Sequence, residues 1–166
     1  GLTDKAVILE VAAINLTTGE ELYFAPYVSD VDPMAADLEA MAINRYYERR
    51  VWKDRKNPHD TGLWWGRLRS MLSRNTFGGS NPSFDAAFVA KETGEVWHHR
   101  LADLAAYAAP ALHLAPNEMV GLADVCAALD VTNKEEHSAL GDARATAECF
   151  RALTELYAAV AVGGAL

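Results

Sequence analysis

The sequence predicts one α/β domain in which a mixed sheet is flanked by helices, and three observations carry that expectation. Two extended apolar runs open the chain as a hairpin, later extended runs alternate with helical ones, and 166 residues with 51% apolar and 23% charged composition suit a single core. A chain of this size buries about two-thirds of its unfolded surface or more, so the core needs no disulfide.

The elements follow in order. Ala6 to Leu16 (AVILEVAAINL) and Glu21 to Val28 (ELYFAPYV) are extended, and Thr17-Thr18-Gly19-Glu20 between them reads as a turn. Asp32-Pro33 offers an N-cap and an N1 proline for a short helix carrying Met34, Leu38 and Met41 and ending near Asn44. Arg45 to Gly62 is charged, aromatic and rich in turn formers, as a surface loop with some helix would be. Trp64, Leu68, Met71 and Leu72 mark an amphipathic helix. Phe77 to Asn81 reads as a short strand, Phe84 and Phe88 begin another helix, and Val96 to Leu104 reads as extended. Two further helices are expected over Met119 to Leu129 and Ser138 to about Val162. The domain spans 1–166, with an Ala/Gly-rich tail from about 158 to 166 that should fray.

The formal net charge of -8 disfavours tracking along duplex phosphates, where affinity comes from many cations. It does not exclude an enzyme that grips a strand end through divalent cations, because such a site needs carboxylates. Cys126 and Cys149 lie in apolar helical stretches and read as buried, reduced thiols of a cytoplasmic protein. No apolar run approaches a membrane span, and the start lacks the basic region and cleavage site of a signal peptide.

Two short strings carry the chemistry. Asn81-Pro82-Ser83-Phe84-Asp85 offers a carboxylate where a strand gives way to a helix, and His137-Ser138-Ala139-Leu140-Gly141-Asp142 puts a histidine before a helix with an aspartate one turn in. Two such aspartates suit a hard divalent cation, and a neutral histidine beside them suits proton abstraction from water. Each string alone also has an ordinary use: Asp85 suits a helix dipole, and His137 with Asp142 suits a loop and a helix surface. His98 and His99 read as alternating residues of a strand, one packed and one exposed. Asp103 reads as a cap on the following turn, and Trp64-Trp65 as core and rim rather than a stacking platform.

Taken together the strings resemble the DEDDh 3'-to-5' exonucleases related to the epsilon proofreading subunit of bacterial DNA polymerase III. Asn81-x-x-Phe84-Asp85 resembles the second motif of that family, and His137-x-Ala139-x-x-Asp142-Ala143-x-Ala145-Thr146 the third. Leu122-Ala123-Asp124-Val125-Cys126 is similar to the helix before the third motif, Ile8 to Ile14 to the second strand, and Leu38 to Ile43 to the segment ahead of the variable loop. Gly1-Leu2 resembles the end of a Thr-Thr-Gly-Leu string. The family's first motif, an Asp-x-Glu on the first central strand, precedes that string and is not in this sequence; Asp37-x-Glu39 falls on a helix in the wrong part of the order.

The resemblance implies a ribonuclease H-like fold and two-metal hydrolysis, with two Mg2+ or Mn2+ ions in the complete site. Asp85 and Asp142 would be metal ligands and His137 the general base. Leu2 would wedge against the terminal base, while Asn81 and Phe84 would shape the nucleotide pocket. The implied substrate is a single-stranded 3' end of DNA or RNA, with a polymerase or replication protein as a partner and no membrane. The reading from a different class is a truncated or inactive exonuclease-like fold that binds nucleic acid or protein. A chain without the first strand is expected to be poorly stable and nearly inactive, because central sheet edges stay unpaired and ligands are missing.

Overall fold

The computed structural model describes residues 7–28 and 38–163. Strands β1 (Val11–Ile14) and β2 (Glu21–Phe24) form the expected antiparallel hairpin, with Val11 opposite Phe24 and Ile14 opposite Glu21. Its turn closes because Asn15 Oδ1 accepts from the Thr17 and Thr18 N–H groups at 2.9 and 3.1 Å. Gly19 supplies the left-handed residue at φ +75°. The expected cap at Asp32-Pro33, together with Met34, lies outside the described residues; α1 is described as Leu38–Ile43.

Residues 44–56 follow as turns with one 3-10 stretch, Val51–Lys53, whose Val51 is buried. This segment runs beside the end of β2, where Ala25 bridges to Arg55 and its carbonyl accepts from Lys56 N at 2.9 Å. Asn57 then caps α2 (Pro58–Leu72) by accepting from Asp60 N at 2.9 Å, with Pro58 pre-set for the first turn. After α2 come β3 (Gly78–Gly79), α3 (Pro82–Thr93), β4 (Ala102–Asp103), α4 (Leu104–Ala108), α5 (Leu122–Ala128) and α6 (Ala139–Gly163). β3 pairs with β4 in parallel, so the mixed pairing expected of the sheet is present, divided between two separate two-stranded pieces. No described helix is long and apolar enough to cross a membrane.

Two main cores anchor the chain. Val11, Leu22 and Phe24 of the hairpin pack with Trp65 and Leu68 of α2 and Val89 of α3. Phe24 lies edge-on to Trp65 at 5.0 Å and stacks on Trp64 at 5.7 Å, so Trp65 is core and Trp64 its rim, as expected. The second core joins Leu104 and Ala108 of α4, Val125 and Cys126 of α5, and Ala145, Cys149 and Leu153 of α6. Each fully buried large side chain contributes about 1.5 to 3 kcal/mol. A smaller cluster of Ala25, Met41, Tyr46 and Val51 seats the 44–56 turns.

Three local expectations change. Val96 to Leu104 is not a strand: Val96 O accepts from Arg74 N and Asn75 O accepts from His98 N, single bonds that do not form a ladder, and only Ala102–Asp103 is strand. His98 and His99 are therefore both exposed, with their rings 4.2 Å apart. Asp103 caps as expected, its Oδ1 accepting from Ala105 N and Ala106 N, and the cap starts a helix, α4, that the hydropathy pattern had not marked. The helix expected from Met119 begins only at Leu122, after Gly121.

Candidate active site

The clearest local geometry lies where α5 hands over to α6. Ser138 is buried and caps α6 by accepting from Gly141 N at 2.9 Å. Ahead of it the chain turns tightly, with Ser138 N donating to Glu135 O at 3.0 Å and His137 in the left-handed region at φ 64°. That turn rests directly on Gly141, where a Cβ would stand 2.3 Å from Glu135 O and 2.7 Å from Glu135 Cβ. Only glycine fits. The consequence reaches Asp142, whose Oδ1 accepts from His137 N at 3.2 Å and from Asn133 Nδ2 at 2.7 Å. His137 and Asp142 are thus joined through the His137 backbone N–H, with the imidazole exposed and Asp142 Oδ2 accepting no hydrogen bond among the described residues.

The second string sits on the other core. Asn81 takes the left-handed conformation at φ 78° and ends β3's loop, and Pro82 opens α3. The Asn81 side chain accepts from Ser83 Oγ at 3.1 Å, while its carbonyl accepts from Phe84 N at 3.1 Å. Phe84 is exposed and leans on Phe88 with ring centroids 5.2 Å apart. Water reaches Asp85 on the same turn, yet protein fills enough of its surroundings that desolvation pushes its carboxyl above the usual 3.8, against the opposite pull of its own backbone N–H. Leu2 lies outside the described residues.

His137 lines a cleft of about 680 Å³ with Tyr23, Arg45, Arg49, Asp54 and Lys134. Two of these residues, Tyr23 and Arg49, belong to a polar cluster that sequence reasoning missed. Glu10 accepts from Tyr23 Oη at 2.9 Å and is gripped by both Arg49 Nη atoms, one of them at 3.2 Å. Desolvation, with Glu10 close by, pushes the Tyr23 phenol up, so it remains a proton donor to that carboxylate. The partners are 13 and 39 residues apart in sequence, and only the charge density of Arg45 to Gly62 hinted at a role for this stretch.

The donors at hand suit a hard cation in kind, since carboxylate oxygen is what magnesium and manganese prefer. In number they are incomplete: among the described residues no three His, Cys, Asp or Glu side chains gather closely enough to hold a metal ion. No hydrogen bond links Asp85 to His137 or Asp142 among the described residues, and Asp85 does not line the His137 cleft.

Small parallel and antiparallel strand pairs flanked by helices define an α/β protein, with Asp85, His137 and Asp142 at or just before helix starts. The family model described as RNase_T, Exonuclease, matches residues 1–150, and the chain belongs to this exonuclease family of the DEDD superfamily, with its ribonuclease H-like fold. No curated protein and no solved structure matches the chain.

Proposed function

We propose that this domain hydrolyses the terminal phosphodiester of a single-stranded 3' end in DEDDh fashion, with Asp85 and Asp142 as ligands for Mg2+ or Mn2+ in a site that the described residues leave incomplete. The observation that carries the reading is the His137–Asp142 junction, where a glycine-dependent turn ties the His137 backbone N–H to the Asp142 carboxylate and leaves the imidazole exposed at the cleft. When bound, the two cations supply charge neutralisation at the attacked phosphate and its leaving oxygen. His137 accepts the proton of the attacking water; its exposure at the cleft gives water free approach. Asn133 and the His137 N–H hold one oxygen of Asp142, leaving Oδ2 for a cation. Asn81 and Phe84 shape the nucleotide pocket, and Leu2 is the wedge residue against the terminal base. We place the domain in the cytoplasm, serving a polymerase or replication protein, with DNA or RNA ends as substrate.

The incomplete ligand set among the described residues favours one other reading, a binding module of the same fold. A magnesium-dependent nuclease assay on a 5'-labelled single strand separates the two. Stepwise shortening from the 3' end that stops in chelator supports the enzyme, and intact strand in complex with the protein supports the module.

A further inference from the structure

The charge of this acidic chain is segregated. Nine of its 15 Lys and Arg residues fall within residues 45–74, together with only three of its 23 acidic residues. That segment is strongly positive on a protein whose formal net charge is -8. Some of these cations are committed: Arg49 to Glu10, Arg45 to Glu48, and Arg69 to the Thr93 carbonyl. Arg50, Lys53, Lys56 and Arg67 form no ion pair among the described residues.

Aromatic rings are interleaved with these cations. Trp52 is 45% exposed on the 3-10 stretch, which buried Val51 pins to the body, and Lys53 Nζ stands 5.4 Å from its ring centroid. Further along, Lys56 and Arg67 sit 5.2 and 4.9 Å from the Trp64 ring, which itself rests on Phe24. Trp64 is thereby a post that holds two cations in place. Val51 and Arg49 also line the His137 cleft, so this strip begins at the rim of the candidate site.

We propose that the strip from Arg50 to Lys56, continued by Arg67 on α2, docks one single strand of nucleic acid, with Trp52 stacking on a base and the four cations meeting phosphates. The inference rests on the exonuclease reading for the direction of the strand, whose 3' end leads into the His137 cleft. Cations alternating with an open ring match a strand whose bases are unpaired, because a duplex hides its base faces.

Anisotropy titrations of a 5'-fluorescein single-stranded DNA 12-mer, in chelator and at several salt concentrations, test it with the full chain. Each lost phosphate contact flattens the salt dependence by about 0.7 in log–log slope, so Arg50→Glu with Lys53→Glu should flatten it by about 1.4. Trp52→Ala should weaken binding by about five-fold or more, and Trp52→Tyr should retain it. Arg151→Glu, an exposed charge change on α6, should leave the slope unchanged. Parental affinity and slope in the strip variants, at unchanged melting temperature, would overturn the proposal while leaving the exonuclease reading intact. Displacement of the strand by polyglutamate at equal charge concentration would assign the strip to an acidic protein instead. Weakened binding in the strip variants, in a protein that never shortens the strand with magnesium, would keep the strip and remove the exonuclease reading.

Discussion

Replacing Gly141 by alanine puts the packing of the candidate site to a quantitative test. Helix propensity alone favours the change by up to about 1 kcal/mol. The structure opposes it, because the new Cβ would stand 2.3 Å from the Glu135 carbonyl oxygen, a backbone atom that cannot rotate away. The least costly response is for the turn at residues 134–137 to lift off α6. That sacrifices three hydrogen bonds: Asn133 Nδ2 to Asp142, His137 N to Asp142, and Ser138 N to Glu135 O. At about 0.5 to 1.5 kcal/mol each, their loss outweighs the propensity gain and leaves a net destabilisation of about 1 to 3 kcal/mol. For a domain of this size the melting temperature should fall by about 3 to 10 °C. Thermal unfolding by circular dichroism measures this, and nuclease activity should fall further than stability because His137 is displaced. A variant that melts higher than its parent and keeps its activity would refute the reasoning, since propensity would then have won.

Three further outcomes follow from named groups. Arg49→Ala strands the largely buried Glu10 carboxylate and the Tyr23 hydroxyl, and should cost about 3 to 5 kcal/mol in chemical denaturation; a loss below 1 kcal/mol would show the cluster to be solvated. Asp85 has a folded pKa raised above the ordinary 3.8, so its contribution to stability is present below that value and is lost as pH rises through the folded pKa. Asp85→Asn should therefore melt above the parent at pH 7 and converge with it below pH 3.8, and equal melting at both would contradict the desolvation. Cys126 and Cys149 are buried with sulfurs 3.7 Å apart, and burial pushes the Cys149 thiol up to about 12, so a thiol reagent should label the native protein only as fast as it unfolds; rapid stoichiometric labelling would place the thiols at the surface.

Local signals explain which parts of the fold were legible in the sequence. The hairpin was readable because Asn15 and Gly19 make its turn from within five residues, and α2 and α3 through their apolar spacing, although α2 begins at Pro58, inside the stretch read as a loop up to Gly62. Val96 to Leu104 misled because Trp97 packs against Phe77 at 5.0 Å, giving the stretch strand-like apolar residues without a strand-like ladder. The cap at Asp103 before Leu-Ala-Ala-Tyr-Ala was the available sign of α4. The His137–Asp142 junction was legible because its partners lie five residues apart on one helix start, with Gly141 between them. The cluster of Glu10, Tyr23 and Arg49 was not, since it depends on the 44–56 turns folding back against the hairpin, which no local pattern encodes.

The central claim, that His137 works as the base of a metal-dependent exonuclease, is tested most directly by one kinetic comparison. Mononucleotide release from the 3' end of a 5'-labelled single strand is followed with magnesium, for the parent and for His137→Ala. The expected result is stepwise shortening that stops in chelator and slows by about 10²- to 10⁴-fold in the variant, with strand affinity nearly unchanged. Shortening that continues in excess chelator, a His137→Ala protein as fast as its parent, or a parent that releases no nucleotide at all would contradict it.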